Sequence, residues 1–218
     1  TEKVLFVDDD QNILASYQRV FRKQFALHTA VGGEEALAAI AAHGPYAVIV
    51  SDMQMPSMNG VKLLAKVRKL SPDSVRMILT GYSDMQTAVE AVNEGHIFRF
   101  LTKPCHPEAL GKALTAGIAQ YRLVTAEKEL IEKTLSGAVK VLTDVLSLVS
   151  PTAFGRASRV QRVVQDLARE LKVDNAWQLE IAAMLSQLGC VTLPEETLDK
   201  VFRGKVLSPL EVKIFRDH

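Results

Sequence analysis

Five short runs of β-forming residues, separated by helical patterns, fill the first 105 positions, and this alternation constrains the fold more than any other feature. The runs are Lys3 to Val7, Ala26 to Ala30, Tyr46 to Ser51, Val75 to Thr80 and Ile97 to Leu101. Between them, Asn12 to Lys23 places Ile13, Leu14, Tyr17, Val20 and Phe21 on one helical face, and Glu34 to Ala42 is rich in Ala and Leu. Strands that alternate with helices of this length predict an α/β, doubly wound parallel sheet covered on both faces. In such sheets chemistry gathers beyond the carboxyl ends of the strands.

The remainder of the chain needs a second unit. A length of 218 residues exceeds the usual single domain of about 100 to 200 residues. With 48% hydrophobic and 23% charged residues, both parts can bury a core, which argues against disorder. Net charge is +1, and a division after Cys105 leaves 11 basic against 11 acidic residues before it and 15 against 14 after it. Neither half has the positive excess that sequence-independent nucleic-acid binding requires. Cys105 and Cys190 lie too far apart for a metal-type pair and point to a reducing compartment. With no apolar run of about 18 residues and no signal pattern at the start, the expected location is cytoplasmic, with no membrane contact.

Polar residues fall where the sheet would do chemistry. Asp8 and Asp9 close the first strand, Asp52 the third and Thr80 the fourth, while Lys103 follows the fifth. Three carboxylates drawn together repel unless a cation sits among them, and hard oxygen donors with room for water suit Mg²⁺. Asp10 has a plainer expected role, capping the helix that begins near Asn12.

The segments LFVDDD, VIVSDMQMPSMNG, MILTGYSD and FRFLTKP, in that order, resemble the receiver domain of bacterial two-component response regulators over residues 1–121. The resemblance implies a flavodoxin-like (βα)5 fold in which Asp52 is the phosphoacceptor for a histidine kinase or phosphotransfer protein. It implies that Asp8, Asp9, Asp52 and the backbone carbonyl of Gln54 hold Mg²⁺. Lys103 would pair with the phosphoryl oxygens, the Thr80 hydroxyl would be drawn to them, and Phe100 would follow Thr80 inward. The bond from Lys103 to Pro104 is often cis in this family. Gln54 and Tyr82 stand where the family tunes dephosphorylation, although both also read as ordinary loop residues. The roles suit phosphoryl transfer, which asks mainly for positioning and charge neutralisation.

No Pro occurs from Glu108 to Ser150, and a heptad frame from Leu110 fits the stretch. One set of positions is Leu110, Gly117, Val124, Ile131, Ala138 and Val145; the other is Leu114, Tyr121, Lys128, Leu135, Leu142 and Val149. Only Gly117 and Lys128 depart from apolar character, so an extended signalling helix over 106–149 that pairs two protomers is expected. The alternative is two helices packed within one domain, with a break near Ser136-Gly137.

Residues 150–218 are helical in pattern, with Arg159 to Leu171 and Ala176 to Leu188 as the main helices, a stop at Gly189 and a further helix in LPEETLDKVF. The final LSPLEVKIFRDH breaks off within a continuing pattern, so further sequence is expected. From Phe154 onward this half resembles HD-type phosphohydrolase domains of the HD-GYP group. The frame survives in Arg159-Val160, Ala182-Ala183, Leu188-Gly189, Pro194, Leu207-Ser208 and Glu211, and ends at His218. Where that group carries its first metal-binding His this chain has Arg156, its His-Asp pair is Ser186-Gln187, and its Lys is Cys190. Neutral Ser and Gln are poor ligands and Arg156 brings a charge that opposes a cation, so a metal-free, catalytically inactive, degenerate output domain is expected.

Three functional classes follow. The first is a response regulator whose output unit binds a protein partner or a cyclic dinucleotide. A second is an active cyclic di-GMP phosphodiesterase with ligands supplied elsewhere. A third is a DNA-binding regulator with a helix-turn-helix across Ile181 to Gly204, against which stand Glu195, Glu196 and Asp199 at the start of its second helix.

Overall fold

The computed structural model describes residues 2–81, 97–173 and 175–216, so Tyr82 and His218 lie outside the described residues. The chain divides into two compact units, residues 1–127 and 128–218.

The first unit is a five-stranded parallel sheet in the order β2-β1-β3-β4-β5. Its strands are β1 (Lys3–Asp8), β2 (Ala26–Val31), β3 (Val48–Asp52), β4 (Val75–Thr80) and β5 (Arg99–Thr102). Strands β3 and β4 are buried along their whole length, polar Ser51, Asp52, Arg76 and Thr80 included, because both faces of the sheet are covered. Pleating sends alternate residues of β1 to opposite layers. Val4 and Phe6 join Leu14 and Phe21 of α1 (Gln11–Phe21) with Leu110, Ala113 and Leu114 of α4 (Pro107–Val149). Leu5 and Val7 join Ala36 and Ile40 of α2 (Gly32–His43) with Leu63, Leu64 and Val67 of α3 (Gly60–Leu70).

Short polar side chains set the helix starts. Asp10 Oδ1 accepts from the Asn12 amide at 2.8 Å, the cap expected from the sequence. Asn59 Oδ1 likewise accepts from the Lys62 amide at 2.9 Å and starts α3 directly behind β3. Gly117 lets α4 lie close on the sheet, since a Cβ there would sit 3.0 Å from Val48 Cγ2 and closer still to Met77 Cε. Leu110, Leu114 and Gly117 therefore belong to the core of the first unit. The apolar repeat read from Leu110 serves two ends, and its first turns are used up against the sheet.

The second unit is all helical. α4 is a single 43-residue helix and runs unbroken through Ser136 and Gly137. After Ser150 the chain enters α5 (Pro151–Glu170), which carries Pro at its first position, where the missing amide hydrogen costs nothing. Then come α6 (Ala176–Leu185), a 3-10 turn (Leu188–Thr192), α7 (Glu195–Phe202) and α8 (Pro209–Arg216). A small core gathers Ala153, Phe154 and Ala157 with Leu146, Cys190 and Val191. α6 stops earlier than Gly189, the stop read from the sequence. The Ser186 amide and hydroxyl both bond to the Ala183 carbonyl, at 3.3 and 2.7 Å, which tightens the chain out of α-helical register three residues sooner. At α8, Ser208 and Glu211 form a reciprocal capping box, with Glu211 Oε2 accepting from the Ser208 amide at 2.7 Å and Ser208 Oγ from the Glu211 amide at 3.3 Å. Among the described residues no helix is long and apolar enough to cross a membrane.

Candidate functional site

Strand register brings the site together. β1 pairs with β3 so that Val7 lies opposite Ser51, which sets Asp8 beside Asp52 at the carboxyl edge of the sheet. β3 pairs with β4 with Asp52 opposite Leu79, so Thr80 is one residue beyond it. β4 pairs with β5 with Thr80 opposite Thr102, so Lys103 leaves the sheet at the same edge. The chain crosses from β2 over β1 to reach β3, so the loops after β1 and β3 turn apart and leave a crevice there.

Within that crevice ligand oxygens of Asp8, Asp9 and Asp52 lie within 4.8 Å of one another. Lys103 Nζ donates to Asp8 Oδ2 at 2.9 Å and pairs with Asp52 Oδ1 at 2.7 Å. Asp8 is 2% exposed and Asp52 8%, whereas Asp9 is open to solvent. Burial raises the pKa of Asp52, and the charge of Asp8 adds to that; Lys103 opposes both without reversing them. For Lys103 burial works downward, but its bonds to Asp52 and Asp8 outweigh it and the net shift is upward. The two partners agree on one physical picture, in which a single ammonium compensates part of the negative charge gathered around it. Three clustered carboxylates offering hard oxygens form a donor set suited to Mg²⁺.

The other residues named from the sequence take these places. Thr80 is 1% exposed, its hydroxyl donates to the Gly81 carbonyl at 3.2 Å, and its own carbonyl accepts from the Lys103 amide at 2.8 Å. Phe100 is partly buried and packs on the layer that holds Ile78 and Met53. Gln54 is exposed in the loop after Asp52, and the Lys103–Pro104 bond is cis. In the second unit Arg156, Ser186, Gln187 and Cys190 converge. Gln187 Nε2 donates to the Ser186 carbonyl at 3.2 Å, and the Cys190 thiol lies 3.7 Å from Gln187 Oε1. Burial pushes the Cys190 thiol up while Arg156 acts to lower it, and the Arg156 guanidinium lies over the Phe202 ring at 4.8 Å. Among the described residues this cluster brings together no metal-type group of His, Cys, Asp and Glu.

Sequence reasoning missed two supports of Asp52. Ser51 Oγ donates to the Asp52 carbonyl at 2.8 Å, so a fully buried hydroxyl holds the backbone of its neighbour. Gly60 lies so near that a Cβ there would overlap the same carbonyl oxygen. Its amide donates to the Met53 carbonyl at 3.0 Å, which folds the loop after Asp52 back on itself. The Asn-Gly pair closing VIVSDMQMPSMNG was the available sign. Tyr17 was read only as a helix-face residue, yet it stacks on Phe6 at 4.7 Å, and its phenol, pushed up by burial, feels the charges of Lys103, Asp8 and Asp52.

Residues 4–115 match the response regulator receiver domain. The chain belongs to the response regulator family. Residues 140–218 of the regulator match the HD domain, beginning within α4. The regulator is 33% identical over 147 residues to the hydrogenase transcriptional regulatory protein HoxA of Bradyrhizobium diazoefficiens, a match covering 65% of this chain and 30% of HoxA. A crystal structure described as adenylate cyclase from Rhodopirellula baltica is 47% identical with a TM-score of 0.59, covering 61% of this chain and 98% of that one. The signal receiver domain of an HD domain-containing protein from Pseudomonas fluorescens Pf-5 is 30% identical with a TM-score of 0.53, covering 56% and 97%. This chain spans less than half the length of the transcriptional regulators it matches. A histidine kinase or phosphotransfer protein is the partner that a receiver domain implies.

Proposed function

We propose that the regulator accepts a phosphoryl group on Asp52 and passes the change through its long helix to an HD-like unit that binds rather than hydrolyses. The receiver is assigned to 1–121, the signalling helix to 106–149 and the output unit to 150–218. The observation that carries the reading is the ammonium of Lys103 held between Asp8 and Asp52 at 2.9 and 2.7 Å, with Asp9 in the same cluster. A carboxylate so placed can meet phosphorus while a cation stands ready for the oxygens that arrive with it.

One Asp52 oxygen bonds to phosphorus as the P–N bond to the donor imidazole breaks, and that electron pair leaves with the imidazole nitrogen. The reacting form of Asp52 is the ionised carboxylate, which burial disfavours and the Lys103 ammonium favours. Asp8, Asp9, Asp52 and the Gln54 carbonyl are the groups assigned to hold Mg²⁺, which when bound supplies positive charge for the transferred oxygens. Lys103 then pairs with the phosphoryl oxygens. Thr80, whose hydroxyl donates to the next carbonyl at 3.2 Å, turns toward them, and Phe100 follows into the space it leaves. Substituting Ala for Asp52 is expected to abolish labelling by a small phosphoryl donor; undiminished labelling overturns the assignment.

The inactive-output reading rests on the side chains at the HD positions. Ser186, Gln187 and Cys190 satisfy one another and Arg156 lies against Phe202, which supports a site closed by its own side chains. The output ligand we assign is a protein partner or a cyclic dinucleotide, and the balanced charge of both halves speaks against nucleic acid. A second copy of the chain is assigned to α4, and the two free cysteines support a cytoplasmic setting. Stoichiometric iron or manganese in the purified protein, together with turnover of cyclic di-GMP, would establish a phosphodiesterase instead.

A further inference from the structure

Within the second unit, α4, α5 and α6 border a cavity of about 560 Å³, inside the size range of small-molecule sites. Phe154, Ala157 and Met184 give it an apolar floor and are 3, 3 and 8% exposed in that order. None of Arg156, Ser186, Gln187 and Cys190 lines it, so it stands apart from the HD positions. Its charged groups are unspent. Lys140 and Asp144 stand one turn apart on α4 and Arg162 lies on α5, yet among the described residues no ion pair joins the three to one another or to a partner. Asp166, one turn beyond Arg162, pairs with Arg169 at 3.3 Å, and Glu180 accepts from Gln165 Nε2 at 2.8 Å. The hydroxyls that line the cavity are committed differently. Thr143, Ser147 and Ser158 each donate to a carbonyl of their own helix, at 3.0, 2.6 and 3.1 Å, so what they leave for a ligand is lone pairs. A simple anion would leave Asp144 and these acceptors unanswered, and a simple cation would meet Lys140 and Arg162.

We propose that this cavity binds a free α-amino acid with a large apolar side chain. The Arg162 guanidinium takes the carboxylate, whose two oxygens match its fork, and Lys140 adds a second positive charge there. The ammonium meets Asp144 and the hydroxyl lone pairs. The side chain lies on Phe154 and Met184, whose ring and thioether both favour an aromatic neighbour. One zwitterion thus answers opposite charges that the protein holds in the same cavity without pairing them. Lys140 and Asp144 belong to α4 and Arg162 to the helix that follows it, so the bound amino acid ties the two helices together. The regulator then has an input besides phosphorylation, at a site that goes beyond the output ligand assigned above and does not depend on it.

The test titrates the full chain near neutral pH with L-phenylalanine, with phenylacetate, which lacks the ammonium, and with phenethylamine, which lacks the carboxylate, by isothermal titration calorimetry. L-phenylalanine is expected to bind about tenfold or more tightly than either analogue. A smaller gain over either one overturns the zwitterion reading, and no binding of L-phenylalanine overturns the site. Asp144→Asn and Arg162→Gln, both at exposed positions, are each expected to weaken L-phenylalanine by about tenfold or more, and an unchanged constant for either overturns its assigned contact. Gly155 lines the same cavity, and a Cβ there meets nothing within 4 Å, so Gly155→Phe fills the space without displacing a neighbour. That chain is expected to melt with the wild type and to lose L-phenylalanine; binding retained by the folded variant overturns the location.

Discussion

Replacing Asp52 by Asn should make the metal-free regulator more stable while destroying its chemistry. At an effective dielectric of about 20, two unit charges 4.8 Å apart repel by about 3.5 kcal/mol, and Asp52 faces two such neighbours at that distance or less. One ammonium at 2.7 Å returns about 6 kcal/mol on the same scale. The difference leaves about 1 kcal/mol of net repulsion before burial is counted, and burial of a side chain in a residue only 8% exposed adds to it. The upward pKa shift of Asp52 has the same sign. A carboxyl whose pKa is higher folded than unfolded contributes its stability below the unfolded pKa and loses it as pH rises through the folded one. The wild type should therefore give up stability at this site between acid and neutral pH, and the Asn variant should not. Thermal unfolding of the full chain at pH 7 in EDTA should show the receiver transition about 2–6 °C higher for Asp52→Asn, the shift expected of about 1 kcal/mol in a unit of this size. Saturating Mg²⁺ should narrow or reverse the gap, because the wild type then gains the cation its carboxylates lack. A lower transition for the variant in EDTA would refute the charge argument, since it would mean that Lys103 more than repays the cluster.

Gly60→Ala should cut phosphoryl labelling at least tenfold and destabilise the receiver by about 1–3 kcal/mol, as overpacking does, because the added carbon displaces the Asp52 carbonyl. Labelling at the wild-type rate would show that the loop yields freely. Asp9→Asn should weaken Mg²⁺-dependent stabilisation at least tenfold in apparent affinity while leaving the metal-free transition in place, read by melting temperature against Mg²⁺ concentration. Gly117→Leu should destabilise the first unit by about 1–3 kcal/mol through overlap with Met77 and Val48; an unchanged chemical denaturation midpoint would mean that α4 is held off the sheet.

The sequence by itself determined the parts that depend on periodicity and on residue type. Alternating apolar runs fixed a parallel sheet, because continuous β-branched stretches bury on both faces only when helices cover both. Aspartates at strand ends and a capping Asp10 were legible because residue type and a few neighbours decide them. Tertiary structure alone decided what depends on distant segments meeting. Nothing local told that Leu110, Leu114 and Gly117 pack on the sheet while Ile131, Leu135 and Leu142 stay bare, since one heptad pattern describes both. Nor could spacing reveal that Lys103 reaches back 95 residues to bridge Asp8 as well as Asp52, or that Gly60 is shaped by the Asp52 carbonyl. Those relations are set by strand register, and register is chosen by the whole sheet at once.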